Sequence, residues 1–231
     1  MRPTPFSKTL SAAFPHTIPV FAGYCFLGMS YGFLMKASGF PFWYPILTSL
    51  VIFAGSMEFM TVNLLLGAFD LLQAFALTLM INARHLFYGL SMLGKYRNMG
   101  AKKPYLIFGL TDETFSVNCA TEPPEDVDRG LFYLLITLLD HSYWVLGATL
   151  GGIFGSLITF NTEGLDFVMT ALFVVILLEH LLTTKDKRSA FSGMCLSLAM
   201  LILFGADGFM IPAMASILIV LTLRSRKEAA Q

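Results

Sequence analysis

An arginine and a histidine, Arg84 and His85, stand in the middle of the otherwise apolar run 71–94. Acidic residues stand inside neighbouring apolar runs: Glu58, the adjacent pair Asp112 and Glu113, Asp140 and Asp207. The run around Arg84 has about the length of a bilayer crossing, roughly 20 residues. An arginine at the centre of such a helix costs about 2.5–3.5 kcal/mol on insertion scales, so it requires a carboxylate, carbonyl groups or water around it. Two chemistries fit a cation and several carboxyls at depth. They could bind substrate or move protons, or they could form ion pairs that only hold helices together.

Asp207 and Asp112 are the candidate partners of Arg84. Ser56, Asn82 and Tyr88 add neutral hydrogen-bonding groups. Helix breaks are expected near Gly55 and Gly205, where freed backbone groups become donors and acceptors. His141, next to Asp140, could relay a proton because an imidazole titrates near neutral pH, or it could be packed and hydrogen-bonded between helices. Glu179 and His180 fall at a predicted cytoplasmic end, where reaching the interface is cheap.

Other chemistries find no support. No H-x-x-x-H or H-E-x-x-H spacing puts two ligands on one helical face, so no metal and no cofactor are expected. Cys25, Cys119 and Cys195 are odd in number and far apart, which suggests neither a disulfide framework nor a thiolate site. Gly55-Ser56 lacks the context of a nucleophile elbow, and no P-loop is present. A net charge of zero, without a long basic run, excludes nucleic acid as a partner.

The elements that must carry these groups are membrane helices. Of 231 residues, 56% are hydrophobic and 13% charged, against about 25% charged in a soluble domain. An all-α polytopic bundle is expected, with about seven crossings and one re-entrant or broken segment. A polar segment 1–16 leads into a single transmembrane domain, 17–223, and a basic tail, 224–231, follows it. Within the domain, half one is about 17–94, a connecting segment is 95–130, and half two is about 131–223. The second run, 43–68, is long enough to tilt or break. The stretch 104–120, with two adjacent acids, suits a re-entrant segment surrounded by protein or water.

The motif Y-x-x-L-G-x-x-x-G at Tyr24, Leu27, Gly28 and Gly32 returns 119 residues later at Tyr143, Leu146, Gly147 and Gly151. These glycines suit close helix approach. Glu58 follows Gly32 by 26 residues and Glu179 follows Gly151 by 28; Arg84 follows Glu58 by 26 and Asp207 follows Glu179 by 28. The offsets suggest two related halves, a build common in secondary transporters. The basic residues Lys95, Arg97, Lys102 and Lys103 put the 95–103 loop in the cytoplasm. After three crossings the N-terminus would lie outside and the halves would be inverted repeats. Arg2 and Lys8 argue the other way.

Four motifs carry a family resemblance: G-x-S-Y-G at 28–32, A-G-S-x-E-F at 54–59, N-A-R-H-x-x-Y-G at 82–89 and T-D-E-x-F at 111–115. In order and spacing they resemble the AzlC family over nearly the whole chain. The resemblance implies a branched-chain amino acid exporter of the bacterial cytoplasmic (inner) membrane. It also implies a partner, a small AzlD-like membrane protein. A proton-coupled export of valine, leucine, isoleucine and methionine is the economical form of this expectation. Its substrate site would set an apolar wall beside Ser56, Glu58, Asn82, Arg84, His85, Tyr88, Asp112, Glu113, Asp140 and Asp207. The alternatives are a membrane scaffold whose polar residues only join helices, or an intramembrane enzyme.

Overall fold

The computed structural model describes residues 5–68, 70–155 and 187–209, together with 174, 178, 181–182, 212–213, 215–217, 219–220 and 223. All regular elements among them are helical, as composition predicts. Residues 1–169 and 170–231 form two compact units.

Two long helices form the spine of the first unit. Helix α1 (Pro5–Ala37) and helix α7 (Arg129–Phe154) are the two described helices long and apolar enough to cross a membrane. The expected count of about seven crossings is thus reached only in part among the described residues. α1 also begins well before residue 17, so most of the expected polar N-terminal segment is its first turns. Ala13 is buried with Phe132 and Tyr133, which gives those turns a surface to pack on.

α1 and α7 run parallel and in register through their glycines. A Cβ on Gly28 would lie 2.8 Å from the Trp144 carbonyl oxygen, and one on Gly147 would lie 2.7 Å from that of Cys25. Further along, a Cβ on Gly32 would lie 2.6 Å from the Gly152 nitrogen, and one on Gly151 2.9 Å from Gly32 Cα. Real side chains do not approach backbone so closely, so glycine at these positions permits the contact. This revises the expected inversion: the two segments matched at 119 residues point the same way. Parallel helices packing in register need small residues at equal spacing, which accounts for the repeated motif.

An inverted relation exists elsewhere in the fold. The run 43–66 is not one crossing but two half-helices, α2 (Trp43–Val51) and α3 (Gly55–Leu66), joined at 52–54. α2 starts beside the end of α7, where a Cβ on Gly152 would lie 2.8 Å from Pro45 Cγ. It descends until the Ser49 carbonyl meets His141. α3 then returns alongside α1, with Phe53 against Tyr24 and Phe59 against Tyr31. The reversal passes through Phe53 at φ 44°, a left-handed conformation costly for a large side chain. Its ring is 2% exposed and stacks 4.1 Å from His141, so burial and stacking offset that cost.

Helix α4 (Leu71–Met92) follows, antiparallel to α3. Then a 3₁₀ turn (Gly100–Lys102) leads into a second broken hairpin, α5 (Lys103–Phe108) and α6 (Asp112–Ala120), as expected for 104–120. This hairpin starts and ends at the opposite end of α7 from the first. Lys102 pairs with Asp128 at 2.8 Å. α6 runs antiparallel to α7 through Thr114–Asp140 and Asn118–Thr137 to the Thr121 carbonyl, which accepts from Tyr133. Lys95 Nζ caps α6 by donating to the carbonyls of Asn118, Cys119 and Thr121, a cation where the helix dipole favours one. The hairpin tips meet, with a Cβ on Gly109 placed 3.6 Å from the Phe53 ring.

In the second unit, α8 (Lys187–Gly208) breaks at Gly205, at φ 72° and ψ 174°. The break expected there is present, as is the one beside Gly55.

Candidate functional site

The junction of the two hairpin tips gathers most of the candidate residues. Ser56, on the first turn of α3, and Asp112, on the first turn of α6, both face α4. Arg84 Nη2 donates to Ser56 Oγ at 2.9 Å and pairs with Asp112 Oδ2 at 2.9 Å. Tyr88, one turn further along α4, donates to Asp112 Oδ1 at 2.5 Å. Its ring stacks on Phe115 with centroids 4.3 Å apart. Arg84 and Asp112 keep 29% and 20% of their side-chain surface exposed, so this pair is not sealed. Among the described residues, Asp112 is the acid that pairs with Arg84.

Glu113 turns the other way and accepts from Tyr24 of α1 at 2.9 Å. Tyr24 also bonds Thr111, whose hydroxyl caps α6 by accepting from the Thr114 N–H. His85 lies 5.6 Å from the Tyr88 ring, and Asn82 Oδ1 is buried without a hydrogen-bond partner among the described residues. The side chain of Asp207, and both Glu179 and His180, lie outside the described residues.

Two carboxyls are sealed. Glu58 is fully buried, and its Oε1 accepts from Trp144 Nε1 at 2.8 Å and from the Ala54 N–H at 3.2 Å. Gly55 makes room for that indole, since a Cβ there would stand 2.9 Å from Trp144 Cη2. Asp140 is also fully buried and accepts from Thr114 Oγ1 at 2.9 Å. Glu58 Oε2 and Asp140 Oδ1 have no hydrogen-bond partner among the described residues. A buried polar atom left so costs about 1–3 kcal/mol, more if charged.

His141 takes the packed reading. Its Nε2 faces the Ser49 carbonyl at 3.0 Å, which can only accept, so this nitrogen carries the proton. In the neutral ring Nδ1 then accepts from Tyr105 at 2.8 Å. One imidazole thus ties α7 to α2 and α5.

Trp144 and Thr114 escaped the sequence reading, and Tyr24 entered it only as part of the repeated glycine motif. A signal for two of them lies at an offset of 56 residues. Ser56 and Phe59 recur as Asp112 and Phe115, Arg84-His85 as Asp140-His141, and Tyr88 corresponds to Trp144. These pairs occupy matching places in two segments of the first unit, each a broken hairpin followed by a long helix: α2, α3 and α4, then α5, α6 and α7. Their hairpins enter from opposite ends of α7.

A family model described as AzlC protein matches residues 19–158. The chain is 59% identical to the branched-chain amino acid transport protein AzlC of Bacillus subtilis, over 95% of this chain and 87% of that protein. It is 43% identical to an uncharacterized membrane protein of Haemophilus influenzae, over 96% and 92% of the two chains. To the inner membrane protein YgaZ of Escherichia coli it is 24% identical, over 91% and 86%. No solved structure matches the chain.

Proposed function

The chain belongs to the AzlC family of membrane transport proteins, and from that premise we propose that it exports branched-chain amino acids as a secondary transporter. The observation that carries this reading is the meeting of two broken hairpins at Ser56, Arg84, Tyr88 and Asp112. Discontinuous helices that enter from opposite sides and meet at mid-depth are the usual frame of a secondary-transporter binding site. A zwitterion suits the charges there. Its carboxylate would meet the Arg84 guanidinium and the N-terminal turn of α3, whose N-cap Ala54 makes no side-chain cap bond. Its ammonium would meet Asp112, and the stacked Tyr88 and Phe115 rings offer an apolar wall.

Orientation follows from the cations. Lys8, Lys95, Arg97, Lys102, Lys103 and Arg129 gather at one end of the spine helices and Lys36 at the other. The positive-inside rule then puts the N-terminus and the 95–103 loop together in the cytoplasm. The returning hairpin of α2 and α3 removes the earlier conflict with Arg2 and Lys8, since only α1 and α4 separate the two. In this arrangement the chain is a multi-pass protein of the bacterial inner membrane.

Proton coupling and a small AzlD-like partner complete the proposal. The test is efflux of labelled valine, leucine, isoleucine and methionine from proteoliposomes, with and without the small protein and with and without a pH gradient. Substrate-selective, gradient-dependent efflux is expected. Vesicles that hold all four amino acids under every condition would support the scaffold reading instead.

A further inference from the structure

An unbroken line of side-chain oxygens joins α1, α6 and α7. Glu113 Oε2 lies 2.9 Å from the Tyr24 hydroxyl, which lies 2.5 Å from Thr111 Oγ1. Thr111 Oγ1 lies 3.0 Å from Thr114 Oγ1, which lies 2.9 Å from Asp140 Oδ2. Two oxygens approach so closely only with a hydrogen between them. The line thus has four gaps to fill, and the hydroxyls of Tyr24, Thr111 and Thr114 bring three hydrogens. With both carboxyls ionised, one gap stays empty wherever those hydrogens are placed. The Thr114 N–H also points at Thr111 Oγ1, but it fills none of the gaps. A fourth hydrogen is required, so one of the two carboxyls donates to its neighbour.

We propose that Glu113 and Asp140 share one proton along this line, and that it is the coupling proton of the transporter reading, on which this inference rests. When Glu113 holds it, every hydroxyl points toward Asp140; when Asp140 holds it, every hydroxyl points toward Glu113. All the bonds are made either way, so the proton passes by hops in which one O–H bond breaks as the next forms. Glu113 is partly buried and follows Asp112, whose pair with Arg84 is not sealed, whereas Asp140 is fully buried. Glu113 is thus the end nearer to water and to the amino-acid site. Asp112 and Arg84 face Glu113, and Tyr24 of α1 faces both carboxyls. His141, next to Asp140, is committed to Ser49 and Tyr105. Release of the proton to water empties one gap, and two bare oxygens then repel. Tyr24 and Asp140 tie α6 to the spine helices, so parting at either end loosens α6 together with Asp112 on its first turn. Loaded and empty states differ by one proton. Taken from water on one side and given to water on the other, it makes one net proton per cycle.

The test uses the full-length chain in proteoliposomes at neutral pH. Infrared difference spectra read the carbonyl band of protonated carboxyls, which carboxylates lack. Glu113→Gln and Asp140→Asn are made singly and together; an amide can donate or accept, so each keeps the line complete. As the two carboxyls are removed one after the other, in either order, the band should fall at one step only. A fall at both steps means two separate protons and a fall at neither means none, and each result overturns the proposal. For transport, the readout is the ratio of pH-gradient-driven efflux of labelled valine to its exchange against unlabelled valine. That ratio should drop at least about tenfold in the double variant. Tyr24→Phe keeps both carboxyls but deletes the hydroxyl between them, and its ratio should drop as far. A wild-type ratio in Tyr24→Phe would overturn the coupling role, whether or not the double variant folds. If the band falls at one step but no chain moves valine, the shared proton stands and the transporter reading falls.

Discussion

Arg84 reaches Asp112 across two elements that the chain separates by a loop and half a hairpin, at 2.9 Å, with Tyr88 bonding the second carboxylate oxygen from one turn along the same helix. Asp112 is thus held by two α4 donors at i and i+4, the spacing that puts side chains on one helical face.

Removing the cation strands this carboxylate. The pair is partly open, so Arg84→Ala should cost about 1–3 kcal/mol rather than the larger cost of a sealed pair. Folded yield should fall and efflux should vanish. Arg84→Lys should keep most of the yield and still lose transport, since the shorter lysine stem cannot place its nitrogen where Nη2 now bonds both Ser56 and Asp112. Wild-type efflux by the lysine variant would remove Arg84 from the mechanism.

The parallel contact of α1 and α7 depends on glycine. Gly147→Val and Gly28→Val should each lower stability by about 1–3 kcal/mol through overpacking. A Cβ on Gly23 meets nothing within 4 Å, so Gly23→Ala is the matched control. Thermal unfolding in detergent measures both, and equal midpoints for all three would contradict the close approach.

Trp144→Phe keeps the ring but deletes the N–H that Glu58 accepts. A fully buried carboxyl then loses one of its two donors, at a cost of about 1–3 kcal/mol. Gly55→Ala attacks the same contact sterically, because its methyl would meet the indole. Both variants should unfold at lower temperature than wild type, and a cycle combining them should fall short of additivity because they act on one contact.

At the end of the spine where α7 begins, Lys102 and then the Leu131 N–H hold the Asp128 carboxyl below the usual aspartate range. Lys95 and Lys8 do the same for Glu122 and Asp126. A depressed carboxyl contributes stability above its ordinary value, about pH 4, and loses it as pH falls through the lowered one. Asp128→Asn keeps a residue able to cap α7 but removes the charge. The variant's unfolding midpoint should therefore fall less than the wild type's between neutral pH and about pH 3. Parallel pH profiles would show that these surface pairs contribute nothing, as many do.

The sequence by itself determined that the chain is helical, apolar enough for a membrane, and burdened at depth with groups that demand partners. It also determined where backbone would break, since Gly55 and Gly205 flag both places, and the four motifs carried the family. Composition and helical period act locally, so these features were legible without coordinates. Which acid meets Arg84 was not, because an ion pair between α4 and α6 depends on how the chain reverses between them. That reversal, like the one at Phe53, is set by tertiary contacts: a left-handed phenylalanine is tolerated only because His141 and the second hairpin tip enclose it. The direction of the repeat was decided in the same way. Matching glycines record that two helices pack closely, but parallel and antiparallel packing use the same residues. Only the tertiary register of Gly28 on Gly147 distinguishes them. The inverted pair of segments, α2 to α4 and α5 to α7, lay unread for a related reason: Arg84 and Asp140 differ in charge, and their equivalence appears only once both hairpins are seen to enter from opposite ends of α7.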